Sequence, residues 1–136
     1  MNLNASGFEI HSLSNAPWYL LLHLACAFLA VVLGAAVLLR RKGDSPHKAM
    51  GWSWVCLMIT IAVTSFFIQA RSRFSVIHVL SVAVLVMVPL AIISIRRKRV
   101  QAHRYIMSGV FTGLVIAGAF TLLPYRMLGQ LVFAAR

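Results

Sequence analysis

Four histidines are placed by a rule. Apart from His11 near the start, the chain carries His23, His47, His78 and His103, each near the N-terminal end of a different apolar run. The order around them repeats. His23 is followed by an apolar run, then Arg40, Arg41 and Lys42, then His47; His78 is followed by an apolar run, then Arg96, Arg97 and Lys98, then His103. The correspondence continues with Lys48 against Arg104, and with a Met and a Gly in each half (Met50, Gly51; Met107, Gly109). Such order points to two copies of a helical hairpin.

Imidazole ligates zinc, copper or haem iron. The acidic inventory narrows the choice, because Glu9 and Asp44 are the only carboxylates and both fall outside the apolar runs. Carboxylate proton relays, hard-cation sites, paired-carboxylate glycosidase chemistry and His-Glu zinc proteolysis therefore lack their residues. Ser53, Thr60, Thr64, Ser81 and Thr112 have no neighbouring base and read as hydroxyls bonded to their own helix backbone. Cys26, Cys56, Met58, Met87 and Met107 read as packing residues.

A single histidine has an ordinary role, snorkelling towards headgroups or bonding a backbone carbonyl. One per apolar run at matching positions is a pattern, and it supplies two imidazoles at each membrane side with no other strong donor. A structural zinc takes four ligands and a catalytic zinc three, whereas two axial imidazoles complete a six-coordinate haem. Helix length decides the pairing. From His23 to Arg40 is seventeen residues, or roughly 25 Å of helix rise, so His23 shares a depth with His78 only, and His47 with His103. The expectation is one or two b-type haems, His23 and His78 holding an outer iron and His47 and His103 an inner one, with Arg71, Arg73 and the basic loops near the propionates. His47 and His103 lie at the inner edge of the hydrocarbon, so an inner haem is shallow. With the outer pair alone, the chain carries one haem or sits beside a quinone.

The elements that must position these residues are membrane helices. Of 136 residues 61% are hydrophobic and 11% charged, too little polar surface for a soluble domain, and lipid is the solvent. The fold class is an all-α membrane protein, a four-helix transmembrane bundle. Residues 1–15 form a short external tail, 16–123 the transmembrane domain and 124–136 an interfacial C-terminal tail. The spans are expected at about 18–39, 50–68, 74–95 and 105–123. Asn15 is the expected N-cap of the first helix with Pro17 in its first turn, Ser45 caps the second with Pro46 at its first position, and Pro89 kinks the third.

The net charge of +11 sits in clusters between apolar runs, which points to anionic lipid and not to nucleic acid. Nine Lys and Arg flank the first and third loops, against Arg71, Arg73, Arg126 and Arg136 elsewhere, so positive-inside places both termini outside. Small residues (Ala25, Gly34, Ala35, Ala36, Gly113, Gly118) offer helix contacts, within the chain, to a second copy or to a larger complex.

Four helices with one histidine each and basic turns resemble the two-haem transmembrane b-type cytochromes, over His23 to about Gly109. That likeness implies electron transfer between redox partners, with quinone one candidate, in place of hydrolase or transferase chemistry. A closer likeness covers nearly the whole chain: His-Lys-Ala-Met-Gly at 47 to 51, His-Arg-Tyr-Ile-Met at 103 to 107 and Leu-Leu-Pro-Tyr-Arg at 122 to 126. With these the chain resembles a prokaryotic membrane family, domain of unknown function 2306. It implies a multi-pass inner-membrane protein and assigns no activity to any residue. The alternative to a cytochrome is a non-catalytic membrane subunit.

Overall fold

A computed structural model describes residues 16–68 and 76–121. Within them lie four helices, α1 (Trp18–Leu39), α2 (Ser45–Ile68), α3 (Val76–Arg96) and α4 (Val100–Thr121). All four are long and apolar enough to cross a membrane. Residues 1–15, residues 69–75 with Arg71 and Arg73, and residues 122–136 lie outside the described residues.

The helices pack in ring order. Contacts are densest between α1 and α2 and between α3 and α4, fewer between α2 and α3, and fewest between α1 and α4. Short loops after α1 and α3 force the antiparallel hairpins. The shared core contains Ala30, Trp54, Met58, Ala62, Val88 and Leu114. Outward, Trp18, Phe28, Val79 and Phe120 are exposed, as lipid-facing side chains must be.

Polar groups inside this core are satisfied, because hydrocarbon offers no partner. Ser53, Thr60 and Thr112 donate to the carbonyls four residues back, as expected of hydroxyls on membrane helices. Ser65 donates to the Ala62 carbonyl at 2.6 Å, and a hydrogen bond between the Ser65 and Ser81 hydroxyls ties α2 to α3. The Trp54 indole donates to the Ala30 carbonyl at 2.8 Å, tying α2 to α1. Cys26 and Cys56 are free thiols, one buried and one exposed.

Three helix ends differ from expectation. Pro17, with extended backbone, is the N-cap residue of α1, and its carbonyl accepts Leu20 N–H at 2.9 Å; Asn15 lies outside the described residues. Asp44 and not Ser45 caps α2: its Oδ1 accepts the His47 N–H at 2.8 Å, which makes Ser45 the first helical residue and Pro46 the second. A carboxylate outcompetes a hydroxyl there because it carries charge to the positive helix end. α4 begins at Val100, before the expected start near Tyr105, because apolar periodicity does not register a polar first turn. Pro89 lies inside α3 without ending it.

Candidate functional site

The end of the bundle expected to face inward is built by two tight turns. In the first, Asp44 caps α2 through His47, pairs with Arg40 at 3.7 Å, and accepts the Lys48 N–H on its own carbonyl at 3.2 Å. These bonds fix His47 in the first turn of α2. In the second, Lys98 takes the left-handed conformation (φ 60°) while Lys98 N–H bonds Ile95 O and Arg99 N–H bonds Ser94 O. This Schellman arrangement closes α3 and launches α4 within three residues. His103 then sits in the first turn of α4, its N–H on the Arg99 carbonyl at 3.1 Å.

Between these turns the hairpins part around a cavity of about 780 Å³. Its walls are apolar, from Val37, Leu38, Val55, Ile92, Ile95 and Met107, and both His47 and His103 line it. Exposed cations from all four helix ends stand around it, namely Lys42, Lys48, Arg96 and Arg104. No carboxylate lines it; Asp44, nearby, is held by Arg40. The inner pair of the sequence pattern, from alternate helices α2 and α4, is thus brought to one space.

Ring orientation follows from the hydrogen bonds. The His103 Nδ1 lies 2.9 Å from the Ala91 carbonyl, which can only accept, so Nδ1 carries the proton and Nε2 keeps its lone pair. Metal-ligating histidines use this arrangement, one ring nitrogen anchored on a carbonyl and the other free to coordinate. His47 is within electrostatic reach of His103, Asp44, Lys42 and Arg40. Its Nδ1 is buried with no hydrogen-bond partner among the described residues, a cost of order 1–3 kcal/mol.

The outer pair is arranged differently. The His23 Nδ1 lies 2.9 Å from the Thr64 hydroxyl, whose own proton goes to the Thr60 carbonyl at 2.7 Å, so His23 donates and its Nε2 is the unprotonated nitrogen. The His78 ring lies 5.5 Å from the Phe66 ring. Thr64 and Phe66 are two residues apart on α2, about 3 Å in depth but roughly 200° around the helix axis. The outer imidazoles therefore share a depth and contact different flanks of α2.

Sequence reasoning singled out the histidines and missed what surrounds them: the Asp44 cap, the Ala91 carbonyl, and Met107 and Trp52 as cavity wall. The Asp-Ser-Pro run at 44 to 46 carried the signal for the first, and the four-residue spacing of His103 and Met107 for the last. Among the described residues no three His, Cys, Asp or Glu side chains converge. A family model described as predicted membrane protein (DUF2306) matches residues 20–135. No curated protein and no solved structure matches the chain.

Proposed function

The chain belongs to the DUF2306 family of predicted membrane proteins, and we propose that it is an electron-transfer protein of the prokaryotic inner membrane that binds b-type haem through histidine pairs. One observation carries the reading. A cavity of about 780 Å³, with apolar walls and a basic surround, receives one imidazole from α2 and one from α4, and His103 is anchored so that its free nitrogen is the ligating one. The volume lies within the range of cofactor pockets, about 300–1,000 Å³. The residues fit the group: apolar walls for the macrocycle, two imidazoles for the axial positions, and Lys and Arg for its carboxylates.

Held by His47 and His103, a haem would supply one-electron transfer. The chain does the rest. Asp44 and the Lys98 turn hold the two imidazoles in place, Ala91 fixes the His103 tautomer, and the apolar walls exclude water. His23 and His78 are proposed as the ligands of an outer haem; they are at one depth, and sharing an iron requires a ring to leave its contact on α2. A repeat of the hairpin is supported by spacing: His47 and His103, and Lys48 and Arg104, are each 56 residues apart and line the same cavity. Anionic lipid at the basic loops and redox partners that accept or deliver single electrons complete the picture.

Purified protein should be red, and dithionite should give the sharp visible bands of low-spin haem b. His47→Ala and His103→Ala should each abolish the same haem, with the double substitution losing no more than either single one; His23→Ala and His78→Ala should behave likewise for the outer haem. The readout is haem per folded protein. A colourless preparation from haem-replete cells overturns the reading in favour of a packing subunit, and loss of the same haem from His23→Ala and His47→Ala overturns the pairing.

A further inference from the structure

Four cations surround the inner cavity, and they are not alike. Lys42 follows the C-terminal end of α1 and donates from Nζ to the Leu38 carbonyl at 3.2 Å, one of the terminal carbonyls that no helix N–H reaches. Arg96 lies in the last turn of α3, where a cation meets the negative end of the helix dipole. Both positions are explained by the helices that carry them.

Lys48 and Arg104 are not. Each directly follows a cavity histidine, close to the start of α2 or α4, where the helix dipole presents its positive end and a cation is disfavoured by a few tenths of a kcal/mol to about 1 kcal/mol. Neither forms an ion pair or a side-chain hydrogen bond among the described residues, in which the Arg40 pair with Asp44 is the ion pair present. Both line the cavity from equivalent positions of the two hairpins. Two unpaired cations beside two N-terminal helix ends form a strong field for anions, set at the rim of an apolar chamber.

We propose that Lys48 and Arg104 are the specificity-determining residues of this site, each binding one of the two carboxylates on the acidic edge of the haem. The inference rests on the haem reading and adds to it a requirement on the ligand: it must carry two anionic groups, and an esterified porphyrin of the same shape and iron chemistry is discriminated against. Because cations next to the iron favour the less positive ferrous form, the pair also raises the reduction potential of the inner haem.

The test is haemin titration of the full-length apoprotein in nanodiscs of phosphatidylcholine, a lipid without net charge, followed by Soret absorbance. The wild type is compared with Lys48→Gln/Arg104→Gln, with Arg41→Gln/Arg97→Gln as a control that removes the same charge outside the cavity lining, and with Lys48→Arg/Arg104→Lys. His23→Ala/His78→Ala in every background restricts the signal to the inner site. The Gln pair should weaken haemin binding by about tenfold for each cation removed, the scale of one charge-assisted hydrogen bond, and should lower the midpoint potential. The control and the exchanged pair should bind as the wild type does. Haemin dimethyl ester should bind all four proteins equally and more weakly than haemin binds the wild type. Equal haemin affinity in the Gln pair and the control overturns the assignment while leaving the haem reading standing. A difference that appears only when phosphatidylglycerol replaces phosphatidylcholine assigns the pair to lipid headgroups and also overturns it. A parent protein that takes up no haemin overturns both.

Discussion

Gly34 occupies the one place in α1 where a side chain has nowhere to go. A Cβ there would come within 2.6 Å of the Phe111 ring and of the Trp54 indole nitrogen. That nitrogen donates to the Ala30 carbonyl, so the contact that forbids a methyl group is the one that seats a buried interhelical bond. Gly34→Ala should destabilise the bundle by about 1–3 kcal/mol, from overpacking and a strained hydrogen bond together. Gly118→Ala should be neutral or slightly stabilising, since a Cβ there meets nothing. Thermal unfolding in detergent, followed by tryptophan fluorescence, separates the two. The small residues were legible in the sequence as contact candidates, but which of them are in contact was not: Gly34 is clamped, Gly113 meets Leu80 at an ordinary distance, and Ala25 and Ala36 face outward. Composition lists such residues without their azimuth. The histidines were legible for the opposite reason, because a polar ring in an apolar run stands out at any azimuth, while the cations and carbonyl that orient those rings look ordinary in sequence.

The turn joining α3 to α4 is closed by a lysine in a conformation suited to glycine. Lys98 has φ 60°, with both Schellman hydrogen bonds formed around it. A side chain in the left-handed region costs about 1–2 kcal/mol, partly offset because glycine would have more freedom to lose on folding. Lys98→Gly should therefore stabilise the protein by up to about 1 kcal/mol, and Lys98→Val, whose branched Cβ fits this region worst, should destabilise it by about as much. Denaturation midpoints in detergent give the order glycine, lysine, valine; any other order means that the turn is held by something other than its backbone. The four helices themselves were readable from apolar run length, and their ends were not. Run length fixes which residues can sit in hydrocarbon, whereas an end is fixed by a few local bonds, such as Asp44 to His47 N–H at the start of α2 and the Lys98 turn that starts α4 at Val100.

The whole molecule is charged at one end. Nine Lys and Arg belong to the first and third loops and the helix starts that follow them, opposed by Asp44 alone, and four of them, Lys42, Lys48, Arg96 and Arg104, line the cavity between the hairpins. Carrying such clusters across a membrane is disfavoured, while anionic lipids of the inner leaflet attract each nearby cation by about 1 kcal/mol. The second loop and the C-terminal segment carry two cations each, Arg71 with Arg73 and Arg126 with Arg136, and from this bias of nine against four we predict that both termini face out of the cytoplasm. An even number of spans places the two termini on the same side. The charged end belongs to the loops after α1 and α3, so it faces the cytoplasm when both termini face out. Gly43 is the site to probe, because it is exposed in the turn after α1 and a Cβ there meets nothing, both signs that the turn tolerates a fusion beside it. A reporter active only outside the cytoplasm should work when fused after Arg136 and fail when fused at Gly43, and a reporter active only in the cytoplasm should give the reverse. Opposite activities at both sites would invert the molecule and turn the histidine cavity to the outer face. Activity of one reporter at both sites would mean an even number of crossings between them, in place of the three, α2, α3 and α4, that separate Gly43 from Arg136.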